Sequence, residues 1–283
     1  MSIMDDALFP APPAPADEAA VGFRAELCVL ASGSSGNCSV LLFRRGGVRR
    51  ACLIDLGLSP RRTFRLLDSL GLSPHHIDDA IVTHLDHDHF HPGWTRALPR
   101  HTTLHVHERH ADGDAFGLFG IPAAVFNGGF TLRDGTVVRS VLADHDDHGV
   151  ATLRFCLPCE GRADGAADLG FATDVGRVTD ALVEHLAGVD VLAIESNYCP
   201  ELQEASGRPQ HLKSRIMGGR GHLSNHEAVQ AIGLIEPRSH VVLLHLSREC
   251  NDPELVAGLH EGADYAVTIT DQYTPTRWIR IGA

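Results

Sequence analysis

Thr83-His84-Leu85-Asp86-His87-Asp88-His89 follows the short apolar run Ala80-Ile81-Val82, so a dense polar cluster sits where a buried strand gives way to a loop. His84, Asp86, Asp88 and His89 place two imidazoles and two carboxylates within six residues. Divalent ions bind through those groups, and such a density is costly for a fold to carry without a bound ion. The bland alternative is a solvated loop in a histidine-rich chain, since 19 of the 283 residues are histidine. A metal site gathers ligands from several strand ends, so the other apolar runs decide between the two readings.

Those runs end in the same way. The run 138–143 leads into Asp144-His145-Asp146, the run 169–172 into Thr173-Asp174, and the run 241–244 into His245. Taken singly, each of these side chains is more often a packed or surface residue than a ligand. As a series they can converge at one edge of the sheets.

Working outward, the pattern alternates strands and helices joined by short turns. Strands are expected over 23–30, 39–43 and 50–56, followed by a helix that opens at Ser59-Pro60 and closes at Gly71. After the polar cluster come a helix over 92–98, a strand over 103–106 and a stretch without clear pattern to about residue 129. Strands over 136–142, 151–157 and 168–172 form a second sheet-building block. A helix over 178–186 and a strand over 190–194 follow, then a helix over 225–235 whose start carries the capping box Ser224 and Glu227. A strand over 240–246, a helix over 253–261 and two final strands ending near Ile281 complete the chain, with no internal repeat.

Composition sets limits on function. Lys+Arg 24 against Asp+Glu 36 leaves a net charge of -12, which argues against a surface that coats nucleic acid non-specifically. A local basic groove remains compatible with it. No apolar run approaches the ~18 residues of a membrane span, so no membrane association is expected. Residues 1–21 read as a disordered arm without a signal peptide, and 22–283 as a single domain. The seven cysteines (Cys28, Cys38, Cys52, Cys156, Cys159, Cys199 and Cys250) are odd in number and scattered, which suggests reduced thiols in a cytoplasm. Cys156 and Cys159 form a lone CxxC, read as strand-end packing.

With these residues in order, the chain resembles the metallo-β-lactamase superfamily. The segments 30–37 (LASGSSGN), 171–176 (FATDVG), 195–197 (ESN), 221–225 (GHLSN) and 245–247 (HLS) resemble its YycJ/WalJ-like branch. The resemblance covers about residues 24–280. It implies an α/β fold, a four-layer αββα sandwich, and a dinuclear metal-dependent hydrolase. The activity implied is that of a phosphodiesterase or 5′-to-3′ exonuclease acting on DNA. By position, one ion would take His84, Asp86 and His145, the second Asp88, His89 and His245, with Asp174 bridging. The departure is Asp86, which stands where the family pattern HxHxDH has its second histidine. Starting the pattern at His87 instead loses the adjacent Asp-His pair. Three carboxylates and four imidazoles make a harder site than usual, so of manganese and zinc, manganese is expected to serve at least as well.

Two ions ~3.5–4 Å apart can hold a bridging hydroxide and clamp a phosphate oxygen opposite it. Asp88 and His222 are the catalytic candidates, His222 as proton donor or phosphate ligand. Ser224 and Asn225, at a helix start with free N–H groups, could hold a phosphate. Asp55, just past a strand, is expected to orient a ligating histidine. Ser34, Ser35 and Asn37 could line the same edge, although a structural turn explains them nearly as well. Arg208, His211, Lys213, Arg215 and Arg220 form a basic run, with Lys213 and Arg215 as contacts to a nucleic-acid backbone; a solvated helix face is the default for such a run. The alternative function is a small-molecule hydrolase with the same centre, such as a cyclic phosphodiesterase, lactonase or thioesterase. A metal-binding protein without catalysis is the third reading, and the complete ligand set argues against it.

Overall fold

Alternation along the first strands decides the layering. In β1 (Arg24–Ala31), Leu27 and Val29 face a core between two sheets, while Cys28 and Leu30 face the opposite side. In β2 (Cys38–Arg45), Leu41 and Phe43 divide from Val40 and Leu42 in the same way, and in β3 (Val48–Ile54), Cys52 and Ile54 divide from Ala51 and Leu53. Burial on both faces is why such strands read as nearly continuous apolar runs. The computed structural model describes residues 22–111, 123–158 and 166–282. The arm expected over 1–21, and Cys159 of the CxxC pair, lie outside the described residues.

The first sheet continues through β4 (Ile77–Val82), β5 (Thr103–His107) and β6 (Ala123–Phe126). The second contains β7 (Gly129–Thr131), β8 (Val137–Ala143), β9 (Val150–Pro158), β10 (Ala166–Ala172), β11 (Val191–Glu195), β12 (His240–Leu244) and β13 (Ala266–Ile269). The chain then returns to the first sheet with β14 (Ile279–Ile281), giving the orders β14-β1-β2-β3-β4-β5-β6 and β13-β12-β11-β10-β9-β8-β7. β3 to β6 run parallel, as do β10 to β13. β8 points the same way as β10, because β9 lies antiparallel between them.

Helices cover both outer faces. Over the first sheet lie Pro60–Ser69 and the single turn Trp94–Ala97, where buried Trp94 meets Phe64 edge-on at 5.4 Å and donates Nε1–H to the Leu58 carbonyl at 2.8 Å. Over the second lie Asp180–Leu186 and Asn225–Ile235, whose Leu182, Leu186, Ala231, Ile232 and Ile235 join one apolar layer with β10, β11 and β12. Each fully buried large side chain contributes about 1.5–3 kcal/mol, and three such layers hold four tiers together. This is the αββα sandwich, as expected.

Two differences from the expected elements have simple causes. The helix over 92–98 is a single turn, Trp94–Ala97; Pro99 sets its end by keeping Leu98 out of helical geometry, at φ -62 and ψ 127. Helix Pro200–Ala205 appears where no element was expected and Gln210–Arg215 where only a basic run stood out; each is too short to show a periodicity. Among the described residues, no helix is long and apolar enough to cross a membrane.

Candidate metal centre

The polar loop is fixed before any side chain is considered. Asp86 O accepts from the amides of His89 and Phe90 at 2.8 and 2.9 Å, which curls the loop into one turn. Asn37 N donates to Asp88 O at 2.7 Å, and Leu56 N to His89 O at 2.8 Å. Gly57 is essential to this approach, since a Cβ there would stand 1.7 Å from Asp88 O. The candidate ligands then arrive from both sheets: His84, Asp86, Asp88 and His89 after β4, His145 after β8, Asp174 after β10 and His245 after β12. The carboxyl ends of parallel strands are the usual place for a site in α/β sheets.

His84, His89 and Asp174 make one of the three three-residue donor groups among the described residues, and the other two are the expected ones. In one, Asp86 Oδ2 lies 3.9 Å from His84 Nε2 and 3.7 Å from His145 Nε2. In the other, Asp88 Oδ2 lies 3.3 Å from His245 Nε2 and 3.8 Å from His89 Nε2. Asp174 stands between them, with Oδ2 2.7 Å from His89 Nε2 and Oδ1 3.4 Å from His245 Nδ1. Atoms bound at ~2.1 Å to one tetrahedral ion are ~3.4 Å apart, so this spacing suits shared ions.

The surrounding hydrogen bonds aim the imidazoles. Asp55 Oδ2 accepts from His89 Nδ1 at 2.8 Å, and Asp55 Oδ1 accepts from Thr83 N and Thr83 Oγ1, both at 2.9 Å. Having donated its proton to Asp55, the Thr83 hydroxyl accepts from His84 Nδ1 at 3.1 Å. One buried carboxylate thus directs Nε2 of a histidine in each group toward the centre. His145 Nδ1 donates to Gly221 O at 2.9 Å, with the same result for its Nε2. His245 is held through its backbone, its N–H donating to Ser32 Oγ at 2.8 Å and its carbonyl accepting from Asn197 Nδ2 at 2.7 Å. Asp55, Asp174 and His245 all carry positive φ (61, 51 and 57°), a strained backbone of the kind that concentrates at functional sites.

The donor set fits divalent cations. His84 Nε2 is buried without a hydrogen-bond partner, a penalty that a coordinated ion would remove. Burial, then the neighbouring His89, hold the His84 imidazole well below its usual value, so its lone pair is free. The contact with His145 holds the Asp86 carboxyl down at about 2, outweighing its partial burial. Burial opposes charge on His245, but Asp174, Asp88 and Glu195 outweigh it and raise the imidazole to about 9.

Glu195 and Thr83 are the residues that sequence reasoning did not assign. Glu195 closes β11 fully buried; its Oε1 lies 2.6 Å from His222 Nδ1 and its Oε2 accepts from Val175 N at 2.8 Å. His222 Nδ1 also lies 3.1 Å from Asp174 Oδ1. Burial opposes its charge, yet Glu195 and Asp174 raise it to about 10. The available signal was a lone carboxylate ending a wholly apolar strand.

An open cleft of about 620 Å³ exposes the centre, and Ser34, Arg208, Arg215 and His222 are among its walls. Lys213 lines a neighbouring depression with Glu204 and Gln210 instead, its Nζ donating to the Glu204 carbonyl at 2.5 Å. Asn37 lies beneath the cleft, where its Nδ2 is 2.9 Å from His89 Nε2 and donates to Asp88 O at 3.2 Å. Ser224 and Asn225 are buried and engaged. Ser224 N donates to Glu227 Oε2 at 2.7 Å, Asn225 N to Tyr198 O at 2.8 Å, and Asn225 Oδ1 accepts from Ser196 Oγ at 2.8 Å. The structure therefore brings Ser34 and Arg215 to the cleft, but not Lys213, Ser224 or Asn225.

No family model matches the chain. It is 29% identical over 276 residues to the exodeoxyribonuclease WalJ of Streptococcus pneumoniae, covering 90% of this chain and 97% of that protein. It is 26% identical over 265 residues to the exodeoxyribonuclease YycJ of Bacillus anthracis, covering 88% and 96%. Among solved structures, the metallo-β-lactamase fold protein YhfI of Bacillus subtilis superposes with a TM-score of 0.64 at 15% identity, covering 89% of this chain and 99% of that one. A diphosphatase of the PhnP family gives 0.60 at 17% identity, covering 92% and 99%. The chain thus has the metallo-β-lactamase fold and is related, along nearly the whole length of those proteins, to WalJ and YycJ.

Proposed function

We propose that the chain is a metal-dependent phosphodiesterase that degrades DNA from an end. The observation that carries the reading is the pair of ligand groups, His84/Asp86/His145 and Asp88/His89/His245, flanking Asp174 on the floor of a cleft walled by arginine. The exodeoxyribonuclease names of WalJ and YycJ support it. Bound there, two divalent ions supply Lewis-acid neutralisation of a phosphate and an acidified water for in-line attack. The carboxylate at Asp86 favours manganese at least equally with zinc.

The protein's own residues position the substrate. Arg208 is pinned by Gln203 Oε1 at 3.2 Å, Ser247 Oγ at 3.3 Å and Glu249 Oε2 at 3.1 Å, so a planar guanidinium stands ready at the cleft for a backbone phosphate. Arg215 adds a second cation to that wall, and Leu212 and Ile216 add apolar surface beside it. His222, kept charged by Glu195, offers a proton to a phosphate or to the leaving oxygen. The six described cysteines are unpaired, which supports a reducing compartment such as the cytoplasm.

The acidic balance of the chain, with Glu249 on the cleft wall, favours the second reading, a hydrolase of small diesters or esters. Metal-loaded protein incubated with end-labelled duplex DNA, single-stranded DNA, RNA and bis-p-nitrophenyl phosphate separates the two. Progressive shortening of DNA, reduced more than ~100-fold in Asp88→Ala, is the expected result; losing even an orienting residue costs 10–100-fold. Hydrolysis of the small diester with no DNA cleavage would assign the second reading instead.

A further inference from the structure

We propose that Tyr273, Arg62 and Arg248 form a second contact for nucleic acid, a platform at the cleft rim that holds an unpaired DNA strand. The inference rests on the nuclease reading above. Tyr273 is 58% exposed, yet its turn is rigid: Asp271 Oδ1 accepts from the amides of Tyr273 and Thr274 at 2.7 and 2.8 Å. The adjacent Gln272 is buried and locks the turn to the loop before β2. Its Oε1 accepts from Ser35 N at 2.9 Å, and its Nε2 donates to Gly36 O at 2.9 Å.

That loop reaches the cleft through Ser34, and Arg248 sits between Ser247 and Glu249, both of which line it. The phenol ring is therefore held on a turn bonded to the loop whose Ser34 lines the cleft. Two guanidinium groups approach it, with Cζ of Arg62 5.8 Å and Cζ of Arg248 5.6 Å from the ring centroid. Arg62 Nη2 donates to the Gln272 carbonyl at 2.6 Å and Arg248 Nη1 to the Tyr273 hydroxyl, so these bonds leave both charges available to an anion.

A guanidinium beside an aromatic ring keeps N–H groups free at its edge for phosphate. An exposed ring on a rigid turn offers a surface for a base, and stacking of this kind accepts any base. Only unpaired bases have a free face to give, so the ligand chemistry is that of a single strand. Arg208 and Arg215 stand on the cleft wall as the other contact to the backbone.

The test compares metal-loaded wild type, Tyr273→Ala, Arg248→Ala and Tyr273→Phe on duplex DNA with a single-stranded tail and on bis-p-nitrophenyl phosphate, which carries no strand. Tyr273→Ala should raise KM for tailed DNA about 5- to 30-fold with kcat nearly unchanged, and Tyr273→Phe should restore most of the loss. Arg248→Ala should raise the same KM and weaken its dependence on salt. On the small diester, kcat/KM of Tyr273→Ala should stay within about twofold of wild type. Cleavage of tailed DNA by both alanine variants at the wild-type KM would overturn the platform and leave the nuclease reading standing. Equal loss on both substrates would also overturn it, because the turn would then be acting through the Ser34 loop on the metal centre. Wild-type protein that hydrolyses the diester and leaves DNA intact would instead overturn the nuclease reading itself.

Discussion

Replacing Asp55 by asparagine tests how the centre is oriented, because one carboxylate serves both ligand groups. Its two oxygens accept from His89 Nδ1, Thr83 N and Thr83 Oγ1 at 2.8, 2.9 and 2.9 Å, and the residue is 1% exposed. Asparagine can satisfy only part of this. With its carbonyl toward His89, its amide N–H groups oppose the Thr83 N–H, and a buried donor goes unpaired at a cost of about 1–3 kcal/mol. In the opposite orientation the His89 proton must move to Nε2, which removes the lone pair a metal needs. Outer partners of this kind are worth about 10–100-fold in metal affinity. At a metal concentration of ~100 times Kd, binding stabilises the fold by ~2.7 kcal/mol, and a 30-fold loss removes about 2 kcal/mol of that. With about 2–4 °C per kcal/mol for a domain of this size, Tm should fall about 10 °C in manganese and about half that in chelator. Thermal melts with and without metal, beside a competition titration against a chromophoric chelator, read both quantities. Affinity within twofold of wild type and an unchanged Tm would refute the account of Asp55.

Other outcomes follow from the same geometry. In the metal-free protein, His245 and His222 are raised to about 9 and about 10, so their stabilising charge is fully present below pH ~6.5 and lost as pH rises through those values. Melts in chelator should therefore show stability falling between pH 7 and 10, whereas a flat profile would refute the assignment. Asp86→His, which replaces an oxygen donor by nitrogen, should shift bound metal toward zinc when the apoprotein is offered equal zinc and manganese, read by elemental analysis. Burial raises the Cys28 thiol to about 12 and pushes those of Cys38 and Cys52 up as well. In native protein these three should resist iodoacetamide while the half-buried Cys199 is labelled, as mass spectrometry of the digest would show.

The candidate ligand residues are legible in the sequence because each lies close to a strand end, where a polar side chain after an apolar run is a local signal. Asp55 is legible for the same reason. Thr83 is not, because its role depends on a hydroxyl passing an orientation from Asp55 to His84. Glu195 also ends a strand, but its partners His222 and Val175 become neighbours only in the folded sheet. Lys213 and Arg215 look equivalent in the chain. Which of them faces the cleft depends on how their short helix seats, and the turn after it, with Gly219 at φ 76, cannot be read from composition. Ser224 and Asn225 announce a helix start correctly. The capping box already implies that Glu227 occupies Ser224; what the sequence does not reveal is that Tyr198 and Ser196 occupy the hydrogen-bonding groups of Asn225.

The return of β14 to the first sheet bears on how the molecule comes into being. β14 pairs with β1 through Ala25–Ile281 and Leu27–Ile279, across almost the whole chain. The ligand groups likewise join early and late segments, His84 with His145 and His89 with His245. During synthesis, the first half can form β1 to β6 and place four ligand residues, but it leaves one edge of that sheet open. His245 is made later, and the strand that closes the edge later still. Neither group is complete until the second sheet has docked, so a partly made chain presents scattered weak donors rather than a working centre. The proposed centre would therefore gain its full donor set only at the end of assembly.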